Sequence, residues 1–373
     1  TAPLLILILI IIFRKKFFTR EINIIKFLLG FIVLIPLLVA IIQDPQTLLG
    51  RAKYMSIFYD KNVWGQLWQA QTLDGNNFPP LLARFFHNKP FYYAKDIFRR
   101  WLQHFEVGFL FINGDPIAPF TIPHMGLLYL IDLPFLLMGI YWLIVRGGKS
   151  ERFIIWWLVV APVVAALTFM TPASNRSFNL IFPICLIIAY GLVKFLENHK
   201  KSQKKWIGAI FTFYFLLFTF YLYQYYHNIP YEIPQKWYYG RRELVAEILS
   251  LQNNYQKVIL TDKGGPPYIF LLFFEKYEPS KYWETMKVNP YITDLGWGHI
   301  DGFANYEIPR DFNWKIVKKQ KGYLYISYGE EVPDIWQEPV EGKQLQVNIL
   351  KKIYYPNGRV AYKIFDLQDT NGQ

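Results

Sequence analysis

Apolar residues along this chain gather in long blocks, and the polar connections between the blocks alternate in character. The blocks cover about residues 25–42, 125–145, 153–169, 178–195 and 206–226, each close to the ~20 residues that carry a helix across a bilayer. Another apolar run, residues 2–13, is shorter than a crossing requires. Basic residues recur on every second connection: Arg14, Lys15, Lys16 and Arg20; then Arg146, Lys149 and Arg152; then Lys200, Lys201, Lys204 and Lys205. Such clusters mark cytoplasmic helix ends. The pattern therefore predicts an outer loop over residues 43–123, an outer turn over 170–177, and an outer segment beyond residue 226.

The expected fold class is an α-helical polytopic membrane bundle followed by a small extracytoplasmic α/β domain. Residues 1–226 form the transmembrane region, about six spans with the first truncated and a helical outer loop at 43–123. Residues 227–373 form the extracytoplasmic soluble domain. The expected location is the cytoplasmic (inner) membrane, multi-pass. Because the chain opens on Thr1 within an apolar run, it reads as a C-terminal portion cut inside a helix. A cleaved signal peptide is the alternative for residues 2–13, which lack both a preceding basic region and a following small-residue cleavage site.

Periodicity fills in the polar segments. Over residues 95–105, Ile97, Phe98, Trp101, Leu102 and Phe105 recur at helical spacing, with Arg99, Arg100 and Gln103 on the other face. This predicts an amphipathic helix, lying on the membrane surface or packed against the bundle. Beyond residue 226 the pattern predicts helices at 241–252 and 267–277 and a buried strand at 257–261. Strands follow at 322–328, 344–355 and 359–367, the last two joined by a turn at Pro356-Asn357-Gly358, with a frayed tail from Asp369.

A net charge of +12 would suggest nucleic acid, but much of the basicity sits in the three linkers and is topological. The single cysteine, Cys185, excludes an internal disulfide.

Candidate chemistry lies where chain meets the outer face. Arg176, on the turn Thr171-Pro172-Ala173-Ser174-Asn175-Arg176-Ser177, presents a guanidinium that suits a lipid phosphate through paired, charge-assisted hydrogen bonds. The alternatives are general headgroup contact or a helix C-terminus. His104, Asp115 and His124 could converge on a polar substrate; alternatively Asn113-Gly114-Asp115-Pro116 is an ordinary turn. Asp132, inside an apolar block, should face a protein interior or a wet cavity, either as a site residue or in a structural hydrogen bond. Thr261-Asp262-Lys263-Gly264-Gly265-Pro266-Pro267 joins a strand to a helix but matches no phosphate-loop pattern. No metal-ligand spacing, nucleophile elbow or cofactor motif occurs.

In order along the chain, Phe86-His87-Asn88-Lys89, Gln103-His104-Phe105, Phe109-Leu110-Phe111 with Gly114-Asp115, Gly126-Leu127-Leu128-Tyr129-Leu130, Leu133-Pro134-Phe135-Leu136-Leu137 with Gly139, Arg176-Ser177, and Thr261-Asp262 with Pro267-Tyr268-Ile269-Phe270 resemble the family 39 glycosyltransferase group. This group belongs to the GT-C superfamily and includes protein mannosyltransferases and the lipid A aminoarabinose transferase. The resemblance implies a sugar moved from a polyprenyl-phosphate carrier to an envelope glycan, lipid or protein acceptor at the outer face. It implies donor-phosphate binding by Arg176, with Lys89 or Arg84 as partners, and substrate positioning by His104, Asp115 and His124. The family's catalytic aspartate belongs to a first outer loop, expected upstream of Thr1, so this portion alone is expected to be inactive. Pro266 stands where the family pattern carries a polar residue. No cofactor and no nucleic-acid partner is expected. A surface-glycan polymerase or ligase, and a non-catalytic membrane-anchored interaction protein, are the competing readings.

Overall fold

The computed structural model describes residues 1–17, 32, 35–36, 38–44, 52–59, 62–75, 79–292, 298–310 and 312–370. The chain divides into two compact units, Thr1–Leu222 and Tyr223–Gln373.

The first unit is helical. Its labelled helices are α1 (Ala2–Phe17), α2 (Asn62–Leu73), α3 (Pro80–Phe86), α4 (Lys89–Gln103), α5 (Asp132–Arg146), α6 (Lys149–Val160), α7 (Ile181–Asn198) and α8 (Gln203–Tyr223). Antiparallel α5 and α7 meet backbone to backbone, and glycine makes this possible on both sides. A Cβ on Gly139 would lie 2.1 Å from the Ile187 carbonyl oxygen, and one on Gly191 would lie 1.9 Å from that of Phe135. Small residues at such a crossing let two helices gain close van der Waals contact where apolar solvent offers no hydrophobic drive. Around the seam, Leu136, Leu143, Ile184 and Ile187 pack with Phe109, Leu110 and Phe111 of a π-helical turn, Gly108–Ile112.

A polytopic bundle is not what these helices make. Among the described residues only two helices are long and apolar enough to cross a membrane, Phe178–Asn198 and Lys200–Glu232. Block 125–145 loses its first seven residues to turns, because α5 starts at Asp132; its fifteen residues span only about 22 Å against a ~30 Å hydrocarbon core. Block 153–169 is broken at Pro162, leaving α6 to end at Val160 before a single helical turn, Val163–Ala166. Block 25–42 and Arg20 fall mostly or wholly outside the described residues, as do the side chains of Lys15 and Lys16. Hydropathy alone counts apolar length without the prolines and turns that shorten it. The multi-pass expectation is therefore corrected to two helices capable of crossing. None of the apolar window of Lys200–Glu232 is buried, so that helix is not the core of a soluble bundle.

The second unit is built on an eight-stranded mixed sheet in the order β2-β3-β4-β1-β5-β8-β7-β6, larger than the small domain expected. The strands are β1 (Lys257–Leu260), β2 (Lys287–Ile292), β3 (Gly298–Phe303), β4 (Tyr306–Glu307), β5 (Tyr323–Tyr328), β6 (Gln337–Val340), β7 (Lys343–Tyr354) and β8 (Val360–Asp369). β1 runs parallel to both β4 and β5, and the remaining pairs are antiparallel. Strand alternation feeds two cores. Val258, Leu260, Leu324, Ile326 and Ile364 pack on one face against Leu244, Val245 and Ile248 of α9 (Arg241–Leu251) and Leu271 of α10 (Pro267–Glu275). Ile259, Tyr325, Phe365 and Leu367 pack on the other against Phe312, Trp314 and Val332 from the loop after β4 and the turn after β5.

The expected helices and the strands at 257–261, 322–328, 344–355 and 359–367 coincide with α9, α10, β1, β5, β7 and β8. Strands β2, β3, β4 and β6 had no expected counterpart; of these the two at the edges, β2 and β6, each contain a proline, Pro290 and Pro339. Proline removes a ladder donor and survives only where no further strand must pair. The tail is not frayed from Asp369: β8 reaches that residue, and the Thr370 amide donates to the Gln344 carbonyl at 3.0 Å.

Candidate functional site

The polar centre of the first unit is the turn that follows Thr168. Asp96 and Arg100 of α4 and His104 just past its end, at i, i+4 and i+8, hold it. Asn88 caps the helix, accepting from the Phe91 amide at 2.9 Å. Asp96 accepts from Arg100 Nε at 2.6 Å, and both residues are buried, each 4 % exposed. Arg100 Nη1 then donates to the carbonyls of Thr168 (3.1 Å) and Phe169 (2.5 Å). Burial pushes the Asp96 carboxyl up, but hydrogen bonds and charge from Arg99 and Arg100 outweigh it and hold the group below its ordinary value.

His104 completes the row and is fully buried. Its Nδ1 lies 2.8 Å from the Arg100 carbonyl, so Nδ1 carries the proton and donates; Nε2 accepts from the Ala173 amide at 3.3 Å. Both ring nitrogens are thus engaged in the neutral form, and burial lowers its pKa. Gln103 Oε1 accepts from the Thr171 hydroxyl at 2.9 Å.

Asp115 grips the same turn from the other side. Its Oδ2 accepts from the Ser174 amide (2.7 Å) and hydroxyl (2.6 Å), while Oδ1 closes its own turn on the Ile117 amide at 2.7 Å. Asp115 is 1 % exposed. That is the turn reading of this residue, extended to a second turn: its hydrogen bonds go to the chain itself, and it does not converge with His124.

Arg176 rides on this clamped turn, half-buried. Its Nη1 donates to Thr168 Oγ1 (2.8 Å) and the Met170 carbonyl (3.0 Å), and its Nη2 lies 3.7 Å from Met170 Sδ. Ser174 and Ser177, which flank it in sequence, form the polar lip of an apolar groove of about 180 Å³ walled by Phe109, Leu110, Leu128, Ile181 and Ile184. Arg176 does not itself line the groove; it shares the turn with the two serines that do, so a ligand with an anionic head and a hydrocarbon tail would meet both from one turn.

The other expected residues lie elsewhere. Lys89 and Arg84 share a groove of about 350 Å³ with Trp64, Leu67 and Gln71, which no residue of the Arg176 turn lines; the Lys89 ammonium sits 3.7 Å from the Trp64 ring centre. His124 is exposed in a turn with positive φ. Asp132, first residue of α5, accepts from the Tyr129 amide at 2.9 Å and from the Tyr214 hydroxyl of α8. That is the structural alternative for it. Asp96 and Arg100 were missed as site-forming residues, although their spacing with His104 was the available signal. The sequence leaves open whether the apolar face of α4 lies on a membrane surface or packs against the bundle, and so does not show that the polar face is the one turned inward. In the fold, Phe98 is 60 % and Leu102 44 % exposed.

In the second unit, the turn after β1 is clamped by buried Arg241, whose Nη2 donates to the carbonyls of Lys263, Gly264 and Gly265 at 3.0–3.2 Å. Gly264 and Gly265 have φ of +74° and +100°, which only glycine adopts readily. With its carbonyls bound to a cation, this turn is no phosphate cradle. No group of His, Cys, Asp and Glu among the described residues is arranged to hold a metal. Comparison with protein-family models, with curated proteins and with solved structures finds no match to this chain.

Proposed function

We propose that this protein is a membrane-associated glycosyltransferase that takes a sugar from a polyprenyl-phosphate carrier and passes it to an envelope glycan, lipid or protein. The observation that carries the reading is the Arg176 turn, with its apolar groove between Ser174, Ser177 and the π-helical turn. In such a site the phosphate-proximal isoprene occupies the groove. The phosphate meets Arg176, whose guanidinium is pre-positioned by Thr168 and Met170. A phosphate leaving group needs little protonation, so electrostatic stabilisation by a fixed cation is the principal demand on the donor side. His104, Asp96, Arg100 and Asp115 act as positioning residues that keep the turn in place, and no residue of this chain is assigned as the acceptor base.

The topology that fits this chemistry uses the two apolar helices. Lys200, Lys201, Lys204 and Lys205 lie between their apolar stretches. Holding those lysines at the cytoplasmic face of the inner membrane leaves the Arg176 turn and the C-terminal sheet domain outside. The order of family-39-like motifs supports the same reading.

Binding of a polyprenyl monophosphate to the protein in detergent micelles tests it. Arg176→Ala is expected to weaken binding by tenfold or more, the worth of about one charge-assisted hydrogen bond, and Arg176→Lys to restore part of it. Arg146→Ala, at the far end of α5, is expected to leave binding unchanged. Wild-type binding by Arg176→Ala would remove the proposal.

A further inference from the structure

The second unit holds a cleft of about 590 Å³, within the range of small-ligand sites. It opens beside the C-terminal ends of two adjacent parallel strands. Asp262 follows β1 and Glu331 follows β5, the end of an α/β sheet where ligands are bound. Asn313, Trp314, Trp336 and Glu338 supply further walls.

The chemistry of these walls is specific. Trp336 is half-buried, and its ring centre stands 5.2 Å from that of Trp314 in an edge-on arrangement. Lys319 lies 5.0 Å and 5.4 Å from the two ring centres. Trp314 is 7 % exposed, and its indole Nε1–H is buried with no hydrogen-bond partner among the described residues. A buried donor without an acceptor is costly and rare; the nitrogen is closed off from solvent, so an oxygen-bearing ligand in the cleft supplies the acceptor once the Trp314 ring shifts toward it. Asp262 is held by the Phe312 amide at 3.3 Å. Three carboxylates, Asp262, Glu331 and Glu338, line the cleft against two amines, Lys263 and Lys315, and Lys263 is already paired with Glu331 at 2.5 Å. With Lys319 beside both indoles the charges come close to balance, so a phosphate or other anion would find no surplus of base there. A neutral, hydroxyl-rich ligand meets what it needs: acceptors for its hydroxyl protons, a donor for a hydroxyl oxygen, and an indole on which the C–H face of a pyranose can lie.

We propose that this cleft binds an oligosaccharide, with one sugar ring stacked on Trp336 and its hydroxyls bonded to Asp262, Glu338 and the Trp314 indole N–H. The site stands on its own observations and does not depend on the carrier-lipid reading of the first unit.

The whole chain in detergent micelles, carrying isotope-labelled tryptophan, is titrated with cellotetraose, maltotetraose, mannotetraose and chitotetraose to about 10 mM, which reaches affinities typical of weak recognition. At least one sugar is expected to shift the indole N–H signals of Trp314 and Trp336, assigned through Trp314→Phe and Trp336→Phe. Trp336→Ala and Asp262→Asn are each expected to weaken that binding about tenfold. Exposed Glu338→Gln gives a third reading, expected at threefold or more, should either of the others disturb the fold by circular dichroism. The proposal is overturned if none of the sugars moves either indole signal. It is equally overturned if binding survives all three substitutions at wild-type strength, or if only a lysine-rich peptide, attracted by the carboxylates, produces the shifts.

Discussion

The two units of this chain differ in what they leave outside. In the second, rings go inside: Tyr306, Tyr325, Tyr362, Phe303 and Phe365 are all at most 1 % exposed, spread over both faces of one sheet. In the first, α6 and α8 bury no residue at all, while Asp96, Arg100, His104, Asp115 and Asp132 are buried. Phe211, Phe213, Phe215 and Phe218 of α8 face outward. An aqueous domain cannot leave so much apolar surface exposed without a partner; a bilayer accepts it and penalises an exposed backbone or charge instead. The contrast indicates that the surroundings, more than composition, decide which side chains hold each unit together.

The sharpest way to break this contrast is to delete one ring from each unit. Phe365→Ala empties a site in the sheet core and is expected to destabilise the second unit by about 4 kcal/mol in denaturant titration. Phe211→Ala, 71 % exposed, should change stability by no more than about 0.5 kcal/mol in micelles. Equal losses would mean that α8 is packed against protein and the contrast is false.

Next in size is the buried ion pair. Asp96→Asn leaves the Arg100 guanidinium without its carboxylate and is expected to cost about 3 kcal/mol, read as loss of the first unit's thermal transition with the sheet domain intact. The α5–α7 seam follows. Gly191→Ala forces a Cβ into the Phe135 carbonyl and should cost about 2 kcal/mol. Gly208→Ala on α8, where a Cβ meets nothing within 4 Å, should instead stabilise by about 0.5–1 kcal/mol through helix propensity.

Much of the second unit was legible because a short apolar run bounded by turns is a local signal. Val258-Ile259-Leu260 and Tyr323-Leu324-Tyr325-Ile326 are apolar throughout, as strands covered on both faces must be. Its edges were not, since Pro290 and Pro339 look like strand breakers until the edge position is known. In the first unit, hydropathy located α7 and α8 but overcounted at Asp132 and Pro162, where chain geometry ends a helix that composition would continue. Arg176 was recognisable on its turn, and His104 and Asp115 as a separate polar cluster with His124; that His104 and Asp115 hold the Arg176 turn was not legible. The Asp96–Arg100 pair that fixes the turn depends on which face of α4 is inward, and no periodicity reveals that where both faces can be solvated by something.

The smallest expected effects are those of pH, and they sharpen the same point. His104 has its pKa lowered by burial in the neutral form. Its contribution is therefore complete above the ordinary imidazole value of 6.5 and declines as pH falls from there toward the lowered folded value. Asp96, held below its ordinary value of 3.8, contributes above that value and loses its contribution as pH falls through the folded one. The first unit should consequently soften in two steps on acidification, and His104→Gln should remove only the upper step.

The measurement that reaches the central claim most directly is photo-crosslinking with a polyprenyl monophosphate bearing a diazirine on its phosphate-proximal isoprene, with crosslinked peptides mapped by mass spectrometry. The account predicts label on Phe178, Ile181 or Ile184, suppressed by excess unlabelled polyprenyl phosphate and lost in Arg176→Ala. Label spread evenly over the exposed faces of α8, or undiminished at the groove in Arg176→Ala, would contradict it.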